Sequence, residues 1–358
     1  MVAAEQVALA RVVARRKCAR KVMTASGEMV NCGSRSFLTC PKCARVYRRD
    51  WQAILSDGVR GSGSGREVFL LVTLTAPSFG KVHRVPKPGR SVSRCACGRQ
   101  HLERDRALRG VPVDPDSYDY AGQAAFNRDM GHLWRYTSIA LRRALPDRFE
   151  VAAVREWQAR GVLHMHCLVR VEGMSMPRAS LVSLIEQTCA GVVAPSPIDE
   201  GRSWRWGRQS DVQVVGLDGG SARKAIAYLG KILGYVVKDL GVEAVENRSA
   251  EATAHVEALH TAARDDMACT AECAGRSCGH RRHRSLGAGS HSVSRSKEWS
   301  VLRRKTLKEH RRVWAREHLG DASCEGDSGV ESMSFAEALA IHRKAFLTGV
   351  YGSGGSVP

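Results

Sequence analysis

The nine-residue segment Gly161–Val169 constrains this chain more than any other, because it is apolar except for two histidines. Its sequence, GVLHMHCLV, is rich in residues that form buried strands. Side chains two positions apart on a strand point to the same face, so His164 and His166 are predicted to project side by side. Together with the preceding stretch Glu150–Gln158, the segment predicts a β-hairpin that turns near Gly161.

The histidine pair has two interpretations. Two neutral imidazoles on one face can hold a divalent cation. Glu156, across the predicted hairpin, can then complete an oxygen-and-nitrogen site of the kind that binds Mg²⁺ or Mn²⁺. Alternatively, the histidines are polar residues on a solvated strand face, and Glu156 is a surface carboxylate beside Arg155 and Arg160. The residues alone leave both interpretations open.

A second group of reactive side chains falls in the stretch 223–240, whose apolar spacing predicts a helix of about five turns. It contains Tyr228 and Lys231, followed by Tyr235 and Lys238. A tyrosine and a lysine three positions apart share one helix face. Tyrosine attacks a phosphate only when a metal polarises the phosphate and a nearby cation favours the phenolate, and this spacing supplies the cation. The alternative is that both tyrosines are packing residues with a solvated hydroxyl.

Positive charge is concentrated in two flanks. The formal net charge of +19 favours a polyanionic partner over the substrates of an ordinary metabolic enzyme. Residues 1–50 hold 11 Lys and Arg against 3 Asp and Glu, and residues 278–318 hold 12 against 3, whereas the long middle is nearly balanced. We therefore expect a catalytic core between flanks that contact DNA phosphates. The residues expected at this interface are Arg45, Arg48, Arg49, Arg303, Arg304, Lys305, Lys308 and Arg311. Solvated charged faces are the alternative, and Trp204 and Trp206 either stack on unpaired bases or pack in the core.

The twelve cysteines indicate metal ligands or buried thiols, because disulfides are rare in the reducing cytoplasm where this chain is expected. Three groups of cysteines and histidines have the side chains that bind zinc in proteins. They are Cys18, Cys32, Cys40 and Cys43; Cys95, Cys97 and His101; and Cys269, Cys273, Cys278, His280 and His283. The second set either stands alone or completes the first. Structural Zn²⁺ would stabilise segments that lack a large core, and the alternative is unpaired thiols, which is what we expect for Cys167 and Cys189.

These patterns predict four regions. Residues 1–66 form a basic, Cys-rich, zinc-binding region, and residues 67–245 form a catalytic core with a loop insertion at about 77–120. Residues 246–318 form a basic DNA-binding region with the third Cys/His set, and residues 319–358 form a flexible tail. No apolar run reaches the roughly 18 residues of a membrane span. Residues 1–20 carry too many charges for a secretory signal, so we expect a cytoplasmic protein without a membrane partner.

The order of the motifs resembles that of HUH endonucleases. A strand ending Thr73-Leu74-Thr75, a His-x-His strand and a later Tyr-x-x-Lys helix follow one another in both. The stretch GYVVKD around Tyr235 looks like the Tyr-x-Val-Lys-Asp signature of initiators from small Gram-positive plasmids. Longer blocks resemble, in order, the replication initiators of actinobacterial rolling-circle plasmids and integrative elements. They include CPKCARVYRRD at 40–50, VTLTAPSFGKVH at 72–83, EWQARGVLHMHCLVRVEG at 156–173 and LGAGSHSVSRSKEWS at 286–300.

This resemblance implies a rolling-circle initiator. His164, His166 and Glu156 would bind the catalytic Mg²⁺ or Mn²⁺, and a tyrosine would attack a DNA phosphate, leaving a 5′-phosphotyrosine and a free 3′-hydroxyl. Lys238 would steady the phosphate or phenolate. The implied partners are a double-stranded origin, a single-stranded nick site, and host helicase and polymerase. We expect an α+β fold: an HUH nickase core with a central antiparallel sheet and flanking helices, plus small Cys/His-rich metal-binding extensions.

The spacing of the tyrosines departs from the family pattern. The tyrosines of the family are often four positions apart, whereas Tyr228 and Tyr235 are seven apart. Tyr235 fits the plasmid signature better, Tyr228 is the other candidate nucleophile, and the two could act in alternate steps. Two further functions stay open at this point: an HUH transposase that acts on element ends, and a non-catalytic, zinc-dependent DNA-binding regulator in which the histidine pair is structural.

Overall fold

A computed structural model describes residues 18, 20–25, 27, 29–35, 40–60, 67–87, 89, 94–145, 148–173, 176–215, 229, 249–267, 285–288 and 293–319. The chain divides into two compact units. The first contains the described residues up to Asp57 and from Ser300 onward, and the second is Gly58–Trp299. The basic residues predicted to contact DNA in both flanks therefore belong to the first unit. The described residues of 249–299, predicted to belong to the C-terminal region, lie in the unit that carries the sheet.

The regular elements are short strands and longer helices. In chain order they are β1 (Val22–Met23), β2 (Met29–Val30), α1 (Pro41–Arg60), β3 (Val68–Leu74), a 3₁₀ helix (Glu103–Leu108), α2 (Tyr120–Ala144), β4 (Arg148–Trp157), β5 (Leu163–Glu172), α3 (Arg178–Gly191), β6 (Ala194–Pro195), β7 (Ser203–Trp204), β8 (Asp211–Val215), α4 (Ala250–Asp265), β9 (Val293–Arg295), a second 3₁₀ helix (Lys297–Trp299) and α5 (Arg304–Leu319).

A five-stranded sheet organises the second unit. Its strand order is β8-β3-β5-β4-β9, and every neighbouring pair is antiparallel. The expectation of mixed helix and strand around a central antiparallel sheet is therefore confirmed. The strand that carries the histidines, β5, lies in the middle, and it pairs with β4 as the predicted hairpin.

The two faces of the sheet differ. On one face, alternate residues of β5 such as Met165, Cys167 and Val169 are buried in the main apolar core. Helices α2 and α3 supply the other side of this core, through residues such as Phe126 and Ile185. Because strand side chains alternate, His164 and His166 point to the face opposite these helices.

Helix α2 begins where its sequence supplies a cap. The carboxylate of Asp119 accepts a hydrogen bond from the backbone N–H of Gly122 at 2.7 Å, which satisfies a free amide of the first turn. Gly122 is required there, since a Cβ would lie 2.0 Å from the Asp119 carboxylate. The helix ends at Ala144, shortly before Pro146, which cannot continue it.

The segment between β3 and α2 is more ordered than the predicted loop insertion. Val82 and Pro112 form an isolated antiparallel bridge, and the backbone of His83 exchanges hydrogen bonds with Val111 and Gly110. A 3₁₀ helix lies between these two paired stretches.

Within the described part of the chain, no helix combines the length and apolarity that crossing a bilayer requires.

Candidate metal centres and nucleic-acid interface

Strand pairing assembles the first candidate metal centre. In the β4–β5 hairpin Glu156 lies directly opposite His164, and in the β3–β5 pair Thr73 lies directly opposite His166. Residues opposite one another in an antiparallel pair face the same side of the sheet. Glu156, His164 and His166 therefore converge on the face that α2 and α3 leave uncovered.

The three ligand atoms are close together. The Nε2 atoms of His164 and His166 are 2.6 Å apart. The Oε2 atom of Glu156 lies 2.8 Å from Nε2 of His166 and 3.4 Å from Nε2 of His164. The His166 side chain is 3% exposed, whereas that of Glu156 is 23% exposed, so the set opens outward on the carboxylate side. One divalent cation could contact all three atoms.

Outer contacts orient both rings. The hydroxyl of Thr73 lies 3.2 Å from Nδ1 of His166, and the side-chain amide of Gln158 lies 3.2 Å from Nδ1 of His164. A partner at Nδ1 sets the ring orientation and leaves Nε2 to face the site, as is usual for metal-binding histidines. Neither Thr73 nor Gln158 was predicted as a partner of the histidines. The Thr73-Leu74-Thr75 motif was a signal for the first, but its contact depends on strand pairing.

The electrostatics of the set favour an ionised Glu156 carboxylate beside a neutral His166 ring. Burial raises the pKa of Glu156, but the hydrogen bonds and charges of His164 and His166 outweigh this effect and lower it to about 2. Burial lowers the pKa of His166, which favours its neutral form. An ionised carboxylate with imidazole nitrogens is a donor set that fits Mg²⁺ or Mn²⁺, and three protein ligands leave positions open for substrate oxygens.

Buried amides of α2 hold the turn of the hairpin. Asn127 donates to the carbonyl of Gly161 at 3.0 Å and accepts from the backbone N–H of Leu163 at 2.9 Å. Gln123 donates to the carbonyl of Arg160 at 2.9 Å. Because both amides are almost fully buried, they fix the backbone immediately before His164. Neither was anticipated, since polar residues on a helix otherwise suggest a solvated face.

The first unit contains a four-cysteine set. The Sγ atom of Cys43 lies 3.7 Å from those of Cys18 and Cys32, and the Sγ atoms of Cys40 and Cys18 are 3.8 Å apart. A tetrahedral zinc site with Zn–S bonds of about 2.3 Å places its sulfurs about 3.8 Å apart, whereas a disulfide needs about 2.0 Å. The four sulfurs are therefore close enough to contact one ion, and none of them forms a disulfide. That they bind zinc stays a prediction.

Two of these thiols, Cys32 and Cys43, favour the neutral form because burial disfavours the thiolate. Burial raises the pKa of Cys32 and of Cys43 above the ordinary thiol value. The backbone N–H of Cys32 donates to Sγ of Cys18 at 3.3 Å, a contact that also stabilises a thiolate bound to a metal. A bound cation would reverse the effect of burial, because only the thiolate is a strong ligand.

A second Cys/His set lies in the segment before α2. His83 joins Cys95, Cys97 and His101, so this set has four ligands of its own and does not need the N-terminal cysteines. Burial raises the pKa of Cys95, but hydrogen bonds from the backbone amides of Cys97 and Arg84 outweigh it and lower the pKa to about 6. His83 was not predicted as a ligand, because it lies twelve residues before Cys95.

The basic residues of the flanks divide into two classes. Asp50, which is buried, accepts two hydrogen bonds from Arg311 at 2.7 and 3.1 Å and one from Arg304 at 3.4 Å. Arg304 also lies over the ring of Tyr47. Arg304 and Arg311, both predicted to bind DNA, thus stabilise the packing of α1 and α5, because a buried carboxylate needs charged partners. The other predicted residues that are exposed are Arg48, Arg49, Arg303, Lys305 and Lys308, while Arg45 is half-buried.

Two tryptophans and two cysteines that the sequence singled out pack in the apolar core. Trp204 and Trp206 are both buried, and their indole N–H groups donate to Asp129 at 3.0 Å and to Thr137 at 2.8 Å. They are core residues and not a stacking platform. Cys167 and Cys189 are buried as expected.

The proposed nucleophiles and the third Cys/His set lie outside the described residues. These positions are Tyr228, Lys231, Tyr235, Lys238, Cys269, Cys273, Cys278, His280 and His283. Their roles remain predictions from the sequence.

Comparisons with known proteins cover both units. Residues 10–346 match the family model RepSA, described as "Replication initiator protein, pSAM2". A replication initiator protein from Streptomyces ambofaciens is 35% identical over 219 residues, which cover 51% of this chain and 46% of that protein. The match thus spans about half of the relative's length. No solved structure matches the chain.

Proposed function

Because the chain belongs to the family of pSAM2-type replication initiators from actinobacteria, we propose that it initiates rolling-circle replication of a plasmid or integrative element. In this proposal it binds the origin and nicks one strand. The observation that carries the proposal is the Glu156–His164–His166 set on the central strand of an antiparallel sheet. This arrangement supports an HUH-type nickase core.

Each residue of the set has a proposed role. Glu156, His164 and His166 would hold Mg²⁺ or Mn²⁺, which when bound polarises the scissile phosphate. Thr73 and Gln158 orient the two imidazole rings through their Nδ1 atoms. The open side of the set, next to the partly exposed Glu156, is where a DNA phosphate would enter.

The reaction we propose is a phosphoryl transfer to tyrosine. The phenolic oxygen of Tyr235 bonds to phosphorus, and the bond from phosphorus to the 3′ oxygen breaks. The phenol loses its proton and the departing 3′ oxygen gains one. One phosphate ester replaces another, so bond energy is retained in the 5′-phosphotyrosine, and the free 3′-hydroxyl can be extended by a host polymerase. Lys238 would stabilise the phenolate or the phosphate.

The tyrosines provide the test of this mechanism. We expect Tyr235→Phe to abolish the covalent adduct with a single-stranded origin oligonucleotide in Mn²⁺, because phenylalanine has no nucleophilic oxygen. Denaturing gel electrophoresis of a labelled oligonucleotide measures the adduct, and Tyr228→Phe is the matched control. Adduct formation by Tyr235→Phe together with its loss in Tyr228→Phe would transfer the role to Tyr228. Absence of an adduct with the unsubstituted protein would contradict the nickase and favour a non-catalytic regulator.

Origin binding is proposed to depend on exposed charge in the flanks. We expect the double variant Arg303→Ala/Lys305→Ala to weaken duplex binding and to reduce the slope of log Kd against log salt by about 2, since each lost phosphate contact removes about 0.9. Fluorescence anisotropy over a salt series measures both. Arg304 is left unchanged because it contacts buried Asp50.

The matched control for this variant removes the same charge from α2. Arg135 and Arg143 are exposed there, and the variant Arg135→Ala/Arg143→Ala should keep the slope of the unsubstituted protein. Equal slopes for all three proteins would contradict the proposed interface on α5.

We further propose that Cys18, Cys32, Cys40 and Cys43 bind a structural Zn²⁺. The supporting observation is the separation of 3.7–3.8 Å between their sulfurs. All-thiolate sets favour zinc over the hard cations that the Glu156 site suits. This ion would hold the β1–β2 hairpin to the start of α1.

A further inference from the structure

Four ligand atoms meet in the segment between β3 and α2, away from the Glu156–His164–His166 set. Nδ1 of His83 lies 3.1 Å from Nε2 of His101 and 3.7 Å from Sγ of Cys95. Sγ of Cys97 lies 3.3 Å from Nε2 of His101. All four atoms lie within 4.8 Å of one another.

These separations are close to those around a tetrahedral ion with mixed ligands. Bonds of about 2.0–2.1 Å to nitrogen and about 2.3 Å to sulfur place neighbouring ligand atoms about 3.3–3.8 Å apart. Within the described part of the chain, none of the cysteines forms a disulfide. Two imidazoles with two thiolates form the borderline-soft donor set that selects zinc.

Neighbouring groups contact two of the four ligands in the way that groups around a metal site orient its ligands. Oδ2 of Asp105 lies 3.4 Å from Nδ1 of His101, which leaves Nε2 of that ring to face the other three ligands. The backbone N–H of Arg84 donates to Sγ of Cys95 at 3.4 Å. Cys95 and His101 are buried, and an ion bound between them would compensate the cost of burying these polar groups.

The set is connected to the turn that precedes His164. The backbone N–H of His83 donates to Val111 at 2.8 Å, and its carbonyl accepts from Gly110 at 3.2 Å. Gly110 packs against the hairpin turn, because a Cβ there would lie 2.6 Å from the backbone of Ala159 and Arg160. Its positive φ of 81° also favours glycine. The same turn ends at Gly161, whose N–H donates to Gln158 at 2.9 Å.

We propose that His83, Cys95, Cys97 and His101 bind a Zn²⁺ ion that holds the segment before α2 against the β4–β5 turn. The ion closes a loop of the chain from His83 to His101, and the paired stretch at Gly110–Val111 carries this constraint to the turn. Gln158, at the start of the turn, contacts His164. The zinc therefore supports the backbone that positions the proposed catalytic ligands.

Zinc content tests the site without depending on nicking activity. We expect the full chain with His83→Ala to contain one equivalent of zinc less than the unsubstituted protein. Elemental mass spectrometry of the purified proteins measures the zinc content. His83→Cys should retain the zinc, because thiolate is an accepted ligand. His132→Ala, on α2 and in none of the candidate sets formed by the described residues, should also retain it. Unchanged zinc in His83→Ala would overturn the proposal.

Cobalt substitution keeps the test decisive if His83→Ala does not fold. With Co²⁺ in place of zinc, His83→Cys should increase the sulfur-to-cobalt charge-transfer absorption by the amount of one added thiolate. An unchanged spectrum would overturn the assignment of His83.

Hydrogen exchange tests the supporting role. In His83→Ala we expect the amides of Gly110 and Gly161 to exchange at least about tenfold faster, whereas the amides of α3 should exchange as before. Loss of zinc with unchanged exchange at Gly161 would overturn the link to the turn. Because neither measurement involves DNA, a failed nickase proposal would leave this result intact.

Discussion

Replacing His166 with alanine is expected to lower the rate of origin nicking by at least about a hundredfold, which corresponds to about 2.7 kcal/mol of transition-state stabilisation. Its Nε2 atom lies 2.6 Å from that of His164 and 2.8 Å from the Glu156 carboxylate, so its loss removes the central member of the set. The rate is measured as the initial rate of covalent-adduct formation on a single-stranded origin oligonucleotide at a fixed Mn²⁺ concentration.

Two companion variants show whether this effect belongs to the metal site. His132→Ala removes an imidazole from α2 that belongs to none of the described candidate sets and should nick at the normal rate. Thr73→Val removes only the hydrogen bond to Nδ1 of His166 and should weaken the apparent Mn²⁺ affinity by about 10–100-fold. Normal nicking by His166→Ala would contradict the proposed catalytic site.

Replacing Cys40 with serine is expected to remove one equivalent of zinc and to unfold the N-terminal part of the first unit. Structural zinc contributes apparent binding free energies of about 10–16 kcal/mol, and in small zinc-binding domains this is folding free energy. Cys40 is fully buried at the start of α1, and its sulfur lies 3.8 Å from that of Cys18. Metal analysis and thermal melting followed by circular dichroism measure the two effects.

A buried cysteine outside the set provides the control. Cys189 on α3 is also almost fully buried, and Cys189→Ala should lower the melting temperature without changing the zinc content. If Cys40→Ser keeps its zinc, the four-thiolate site is wrong. If it loses zinc but melts unchanged, the ion has no structural role.

The local sequence pattern was sufficient to predict the hairpin and the shared face of the histidine pair. The hairpin predicted from Glu150–Gln158 and the segment after Gly161 corresponds to β4 and β5. The apolar spacing of residues 121–145, which hold no internal proline, likewise predicts a helix, and α2 spans Tyr120–Ala144. These elements were readable because apolar periodicity, a turn glycine and a helix-stopping proline all act over a few residues.

Contacts between distant segments could not be read in the same way. Thr73 meets His166 across 93 positions of the chain, and Arg311 meets Asp50 across 261. The exposed or bound state of a basic residue depends on such partners. Charge alone predicted Arg304 and Arg311 at a DNA interface, and it could not reveal that both also compensate the buried carboxylate of Asp50.

That His164 and His166 share a face follows from local pattern alone, because strand side chains alternate with a period of two. Local pattern also predicts Glu156 across the hairpin, but it leaves open whether the carboxylate joins the histidines or faces solvent. The strand register brings Glu156 to them, and tertiary contacts make β5 the middle strand, orient the rings through Thr73 and Gln158, and bring His83 to Cys95, Cys97 and His101. Those arrangements arise from packing and pairing between segments far apart in the chain, on which local periodicity carries no information.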